Sequence, residues 1–278
     1  MPTPGVAPRE DARHADIRRR ALDPAREPLP TRVEEVPDLP LAAVHALDAG
    51  LAALGVELTA EARRAIDGHA RLLLAWTSAI NLTAIRDPQA VATAHIVDSL
   101  TALPFLAARG IDRFLDLGSG GGYPGLPLAA ALPAARALLV EPTAKKVRFL
   151  ETVIAATGME ATVEASAIRA EALAADPRHR GQWPAVTARA VAALPELVEL
   201  AFPLLAPGGF LVAWKRGDLA DEVAATQRAL QALGGGSMEG VPVEVPGLVG
   251  HVLVVVTRHG HVPSAYPREQ SARRRRSW

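Results

Sequence analysis

The sequence predicts an α/β protein: a doubly wound, mostly parallel seven-stranded sheet with an antiparallel hairpin at one edge, preceded by a small helical cap. Three observations predict it. After Gly110, short apolar runs of strand length alternate with helical stretches, the rhythm of a parallel sheet with crossovers. The first run ends in a cluster of glycines, at the position where open α/β sheets bind ligands. The last two runs have no helix between them, so they pair antiparallel.

Residues 1–38 hold seven arginines, eight acidic residues and repeated prolines, with few large apolar groups. Such a stretch cannot bury enough surface to offset its ordering entropy, and a disordered lead is expected. Residues 39–108 read as the helical cap. Leu41, Val44, Leu47, Leu51 and Leu54 recur every three or four residues until Gly55 stops them. Thr59 opens a second helix that carries Ile66, Leu72, Leu73 and Trp76 up to Ile80. Asp87-Pro88 starts a third, with proline in its first turn and His95, Asp98 and Ser99 further along.

Residues 109–257 form the α/β body. Its strands are expected at Arg113–Leu117, Arg136–Val140, Ala161–Glu164, Ala185–Ala188 and Phe210–Trp214, with the hairpin near Val241–Val245 and His251–Val256. Helices fall around 144–157, 168–174, 195–205 and 218–233. Residues 258–278 read as a basic, flexible tail.

Composition narrows the function. The chain has no cysteine, which excludes a disulfide framework, a thiolate zinc site and a cysteine nucleophile. No metal site is expected. Thirty basic residues balance thirty acidic ones, so no global field draws in nucleic acid or membrane. Locally, Thr257–Trp278 carries six arginines and one glutamate. No apolar run reaches the roughly 20 residues that span a bilayer, and the amino terminus lacks a signal-peptide pattern. A cytoplasmic, monomeric protein without an obligate protein partner is expected.

The segment Asp116-Leu117-Gly118-Ser119-Gly120-Gly121-Gly122-Tyr123-Pro124-Gly125 carries most of the information. Glycines at a strand's carboxyl end let the backbone turn sharply and a ligand approach it closely. A dinucleotide loop wants G-x-G-x-x-G, but Tyr123 stands at the third glycine and Pro124 removes an amide that a pyrophosphate would use. No G-x-x-x-x-G-K-[ST] occurs, which argues against a nucleoside triphosphate. Glu141, ending the second strand, is placed to accept from two ribose hydroxyls. Loop and acid together suggest an adenosine cofactor without a pyrophosphate, and S-adenosylmethionine fits best.

At this point the chain resembles the RsmG (GidB) family, methyltransferases acting on a guanine N7 of 16S ribosomal RNA. The resemblance runs from about residue 41 to the tail. It rests on Asn81-Leu82-Thr83-Ala84-Ile85-Arg86-Asp87-Pro88, His95-Ile96-Val97-Asp98-Ser99, the Gly118–Gly125 loop and Lys145-Lys146-Val147-Arg148-Phe149-Leu150. Ala188-Arg189-Ala190, Trp214-Lys215-Arg216-Gly217 and Pro263-Ser264-Ala265-Tyr266-Pro267-Arg268 complete it. Each motif is weak alone; their order and spacing are specific. The resemblance implies a class I, Rossmann-like methyltransferase fold. It also implies cofactor contacts from Gly118, Gly120, Tyr123, Glu141, Ala170, Glu171 and Arg189. Glu141 departs from the family's frequent Asp, and Gly120–Gly122 lacks its usual proline or alanine; neither change blocks the site.

Guanine N7 already presents a lone pair, so in-line methyl transfer to it needs no general base and no covalent enzyme intermediate. Alignment and pre-aimed polar groups supply the rate. Arg189 and Lys215, at two strand ends, are the candidate catalytic residues. Arg86, His95, Lys145, Lys146, Arg148, Arg216 and Arg268 are the candidate RNA contacts, and Arg273–Arg276 a candidate handle for phosphates. For each cation the plain alternative is a solvated or ion-paired side chain. His95 and Asp98, three apart, share a helix face and equally suit a structural tie between cap and body. Three alternatives stay open: a class I methyltransferase of small molecules, a non-catalytic cofactor-binding ribosome-assembly factor, and a dinucleotide oxidoreductase. The partner is expected to be 16S RNA, within the 30S subunit or an assembly intermediate.

Overall fold

The computed structural model describes residues 28–278; the expectation for residues 1–27 lies outside them. The apolar runs become seven strands: β1 Arg113–Leu117, β2 Arg136–Val140, β3 Val163–Ser166, β4 Trp183–Arg189, β5 Leu205–Arg216, β6 Gly236–Pro242 and β7 His251–Arg258. They make one sheet in the order β3-β2-β1-β4-β5-β7-β6. Strands β1 to β5 pair in parallel, and β7 lies antiparallel between β5 and β6. The doubly wound sheet and its edge hairpin are present as the sequence predicts. Strand β6 lies upstream of the expected Val241–Val245, because Val245 is buried in the core beyond the strand's end.

Side chains alternate between the two faces of the sheet. Phe114, Leu139, Val212 and Val255 point into one core, Leu115, Leu138, Leu211 and Val254 into the other. The helices follow the predicted caps. α1 spans Leu41–Leu54 and ends at Gly55 in the left-handed conformation (φ +62°). α2 spans Ala60–Trp76, with Thr59 Oγ1 accepting from the Ala62 N–H. α3 is composite: a turn Pro88–Val91 capped by Asp87, a π-helical turn Ala92–Val97, and Asp98–Leu100. π-Turns inside helices are frequent at functional sites, and this one contains His95 and is followed by Asp98. α4 Leu103–Ala108, α5 Gly125–Ala131, α6 Ala144–Ala156, α7 Ala170–Ala175, α8 Leu194–Ala201, α9 Ala220–Ala232 and α10 Gln270–Arg275 complete the described residues.

The cap does not stand apart. Leu47, Ile66, Leu72, Leu73, Ile96 and Leu100 share one continuous core with a sheet face. Contrary to the expectation that no run reaches membrane-spanning length, the helical stretch Pro88–Ala108 has 21 residues, and its 18-residue window reaches a mean hydropathy of 1.4. More than half of it is buried within the protein, which accounts for its apolar composition.

Two terminal expectations are overturned. The part of the predicted disordered lead that is described, residues 28–38, is laid along α2. Arg71 donates to the carbonyls of Val33, Val36 and Pro37, and Trp76 Nε1 donates to the Pro30 carbonyl. Val36 is buried. Composition misses this because α2 supplies the donors. The tail is likewise not free, since α10 packs on the body through Arg273, a buried side chain.

Candidate active site

A cavity of about 390 Å³ opens at the carboxyl ends of β1, β2 and β4. Gly118–Gly121, Tyr123, Glu141, Lys146, Arg189, Ala190 and Val191 line it, joined by Leu82, Thr83 and His95 from the cap. The volume lies in the range of small-ligand pockets. A larger cleft of about 700 Å³ beside α2 is lined by charged side chains that pair with one another, Arg64 with Glu61 and Arg71 with Asp67.

The glycine loop is held from below and from the side. Gly118 and Ser119 donate N–H bonds to the Val140 carbonyl, and Ser119 Oγ donates to the Asp116 carbonyl. His69, a buried residue of α2, donates from Nε2 to the Gly121 carbonyl at 2.7 Å. A Cβ on Gly122 (φ +89°) would meet that nitrogen at 2.9 Å, so only glycine fits. Glu141 Oε2 accepts from the Gly120 N–H at 3.1 Å and Oε1 from the Thr143 N–H at 2.9 Å. Each oxygen keeps lone-pair capacity for a vicinal diol in the cavity.

Tyr123 sits between two imidazoles, His69 at 4.3 Å and His95 at 4.8 Å between ring centroids. Arg189 lies 5.5 Å over the same ring. The guanidinium is fixed: Nη1 donates to Asp98 Oδ2 and to the Ala94 carbonyl, both at 2.9 Å, and Nη2 donates to His95 Nδ1 at 3.0 Å. That last bond makes His95 Nδ1 an acceptor, so Nε2 carries the proton and donates to Thr83 Oγ1 at 2.7 Å. The Asp98 carboxylate, 4% exposed, also accepts from His251 Nδ1 at 2.9 Å. One acid of α3 thereby ties the end of β4 to the start of β7. Ala190, next to Arg189, has φ +55°, a costly conformation for a residue with a Cβ.

Burial pushes the His69 pKa down to about 3. Burial, then the Arg189 charge, pushes His95 down to about 4. Burial raises Asp116 to about 6, against the hydrogen bond from Thr187. Burial also raises the Tyr123 phenol. Only Asp116 titrates near neutrality, and it is fully buried and outside the cavity lining. A stability consequence follows. Below pH 6.5 the unfolded histidines take up protons that the folded ones refuse, and each costs about 1.4 kcal/mol per pH unit. Asp116, protonated in the fold below about pH 6, has the opposite sign and cancels one of them. Urea midpoints are expected to fall by the equivalent of about 1 kcal/mol per unit between pH 6 and 5. They should fall further once the lowered carboxyls of Glu171 and Glu222 begin to protonate. A flat profile from pH 6 to 5 would disprove the neutral histidines.

The predicted residues divide. Gly118, Gly120, Tyr123, Glu141, Arg189, His95 and Lys146 converge on the cavity. Lys145, Arg148, Arg86 and Arg216 are exposed, without an ion pair among the described residues. Lys215 lies off the cavity: Nζ donates to Glu222 Oε2 at 2.6 Å and to the Ala192 carbonyl at 3.1 Å. It holds the loop that carries Ala190 and Val191. Ala170 and Glu171 also lie outside the lining, with Glu171 bonded to Arg273 at 2.5 Å. Arg268 is bonded to Glu199, a fully buried acid, through N, Nε and Nη2, which leaves little of it for phosphate. The sequence reading misses His69, Glu222 and His251. A lone histidine in the apolar stripe of α2 was the only available signal for the first.

The family profile described as GidB, rRNA small subunit methyltransferase G, matches residues 63–243. The chain belongs to that family. The ribosomal RNA small subunit methyltransferase G of Dehalococcoides mccartyi strain CBDB1 is 38% identical over 220 residues, 79% of this chain and 93% of the relative. That of Chloroflexus aggregans is 44% identical over 198 residues, 70% of this chain and 82% of the relative. A crystal structure of an O-methyltransferase from Bacillus cereus in complex with SAH matches 69% of this chain and 91% of its own, with a TM-score of 0.52 and 16% identity. That likeness shows the class I methyltransferase fold. Family membership makes this chain an rRNA small-subunit methyltransferase.

Proposed function

We propose that this rRNA methyltransferase uses S-adenosylmethionine to methylate N7 of one guanine in 16S ribosomal RNA. The observation that carries the proposal is the lining of the cavity: a glycine loop and a diol-accepting carboxylate, with no free general base. When bound, S-adenosylmethionine supplies an electrophilic methyl group on a sulfonium. Gly118 and Gly120 would admit it against the backbone, and Glu141 would accept from its ribose hydroxyls.

The chain's own groups then orient and exclude. Tyr123, stacked between His69 and His95, offers an apolar wall close to the methyl site. Arg189 spends three of its five N–H bonds on Asp98, Ala94 and His95, which fixes the plane of the guanidinium. The two N–H groups left over can receive an acceptor of the RNA, such as guanine O6 or a phosphate. His95 is neutral and its Nδ1 is occupied, so it takes no proton, and N7 requires none to be taken. Lys146 at the rim, with Lys145, Arg148, Arg86 and Arg216 outside it, gives the mouth a positive border for the RNA backbone. Lys215 acts through the Ala190–Ala192 loop as a positioning residue.

Purified protein and methyl-labelled S-adenosylmethionine test the proposal. The substrates are undermethylated 30S subunits, naked 16S RNA and a pool of small metabolites. Label at a single guanine, mapped by cleavage at N7-methylguanine, is the expected result. Label confined to the metabolite pool would overturn the substrate class. Tight cofactor binding with no label in any arm would favour a non-catalytic assembly factor.

A further inference from the structure

The carboxyl-terminal segment is clipped to the starts of α7 and α8. Arg273, 7% exposed, donates from Nη2 to Glu171 Oε1 at 2.5 Å and from Nε to Glu196 Oε1 at 3.0 Å. Its remaining Nη1 donates to the Arg268 carbonyl. Glu171 lies in the first turn of α7, which follows β3, and Glu196 in the first turn of α8, which follows β4. One guanidinium thus joins the starts of the two helices that follow β3 and β4, strands separated in the sheet by β2 and β1.

The start of α8 connects directly to the cavity. The residues Ala190 and Val191 that line it run straight into α8. The exit of that loop is pinned by Glu222, whose Oε2 accepts from the Leu194 N–H at 2.6 Å and from Lys215 Nζ at 2.6 Å. The start of α7 lies off the lining and is linked to it only through β3, whose last residue, Ser166, accepts at its carbonyl from the Glu141 N–H at 3.2 Å. The clip is held in place by a second anchor. Arg268 forks onto the buried Glu199, Trp278 Nε1 donates to the same carboxylate at 2.8 Å, and the Arg268 guanidinium lies 4.5 Å from the centre of the Trp278 ring. The neighbouring Arg274, Arg275 and Arg276 are exposed, so the buried member of the arginine run differs in kind from the rest.

We infer that Arg273 is a positioning residue for the cofactor, clipping the first turn of α8 to that of α7 and so holding in place the Ala190–Val191 loop that lines the cavity. The inference rests on the proposed S-adenosylmethionine site. Without the guanidinium, two like-charged carboxylates, Glu171 and Glu196, are left facing each other and push the two helix starts apart. Lysine keeps the charge but has no fork to reach both acids at once.

The test uses the full chain and S-adenosylmethionine itself. Calorimetric titration gives Kd, and steady-state methylation of 30S subunits gives KM for the cofactor and kcat. Arg273→Ala is expected to raise Kd and KM by about 10-fold or more, with kcat at saturating cofactor within about 3-fold of the parent. Arg273→Lys should fall between. Adding Glu171→Gln to Arg273→Ala should recover part of the affinity by removing one of the repelling charges, a result that a simple loss of packing would not produce. The control Arg274→Ala/Arg275→Ala should leave Kd unchanged. Parental affinity in a folded Arg273→Ala, or a Kd loss that Glu171→Gln deepens, would overturn the inference. Should Arg273→Ala not fold, parental Kd and KM in Arg273→Lys would overturn it too. If the unsubstituted chain binds no S-adenosylmethionine, the proposed site itself fails, whatever the variants do.

Discussion

Replacing Arg189 by alanine will cost about 3–5 kcal/mol of stability, because it strips the principal partner from a carboxylate sealed off from water. Asp98 is 4% exposed and would keep only His251. The loss spreads, since the same guanidinium holds His95 and the Ala94 carbonyl. Arg189→Lys should recover little, as a single ammonium cannot span Asp98, Ala94 and His95 together. Catalysis should fall beyond the fall in stability. Arg189 and Tyr123 both line the cavity, and a misplacement of about 1 Å at such a site can cost about 10²-fold in rate. Urea midpoints measured with their slopes, together with turnover at saturating cofactor, separate the two effects. The double variant Arg189→Ala/Asp98→Ala should be less destabilised than the sum of the singles, as expected for partners in one buried pair. An Arg189→Ala chain with an unchanged midpoint would show that the Asp98 cluster does not tie the cap to the sheet.

That cluster also marks how far the sequence is legible. The parallel order of strands and the place of the ligand follow from local signals: apolar runs of strand length, glycines after β1 and an acid after β2. The caps Thr59, Asp87 and Gly55 are equally local, because capping is decided within a few residues of the chain. Arg189 could be named as a candidate, yet its fixation together with His251 on Asp98 depends on bringing residues 91 and 153 positions away to one carboxylate. No periodicity encodes that. The same reason explains the tail. Four consecutive arginines look alike in sequence, and only the starts of α7 and α8, with Glu171 and Glu196, decide that Arg273 is buried while its neighbours face water. Lys215 is a third case: its place at a strand end suggested catalysis, whereas Glu222, on the following helix, turns it toward the loop. His69 is the opposite case: the sequence reading does not single it out, yet this buried side chain donates to the loop that lines the cavity.

Introducing aspartate at Gly118 should remove cofactor binding with less harm to the fold than the loss of Arg189. Gly118 sits at φ +70°, where a side chain costs roughly 1–2 kcal/mol. Its Cβ would meet Val191 Cγ2 at 2.6 Å, and Val191, on a short loop and 38% exposed, can give way into the cavity. The displaced side chain then occupies ligand space, and the new carboxylate enters the same cavity as Glu141. Loss of S-adenosylmethionine affinity by about 100-fold or more is expected, equivalent to about 2.7 kcal/mol, read by calorimetric titration. Gly118→Ala isolates the steric part, because it adds the Cβ without the charge. Shortening Val191 to alanine removes the colliding methyl, so Gly118→Ala/Val191→Ala should bind more tightly than Gly118→Ala alone. The aspartate variant should be rescued far less, since its charge remains. Unimpaired binding in Gly118→Asp would mean that the cofactor does not approach the loop at this glycine, and the assignment of the cavity would fall with it.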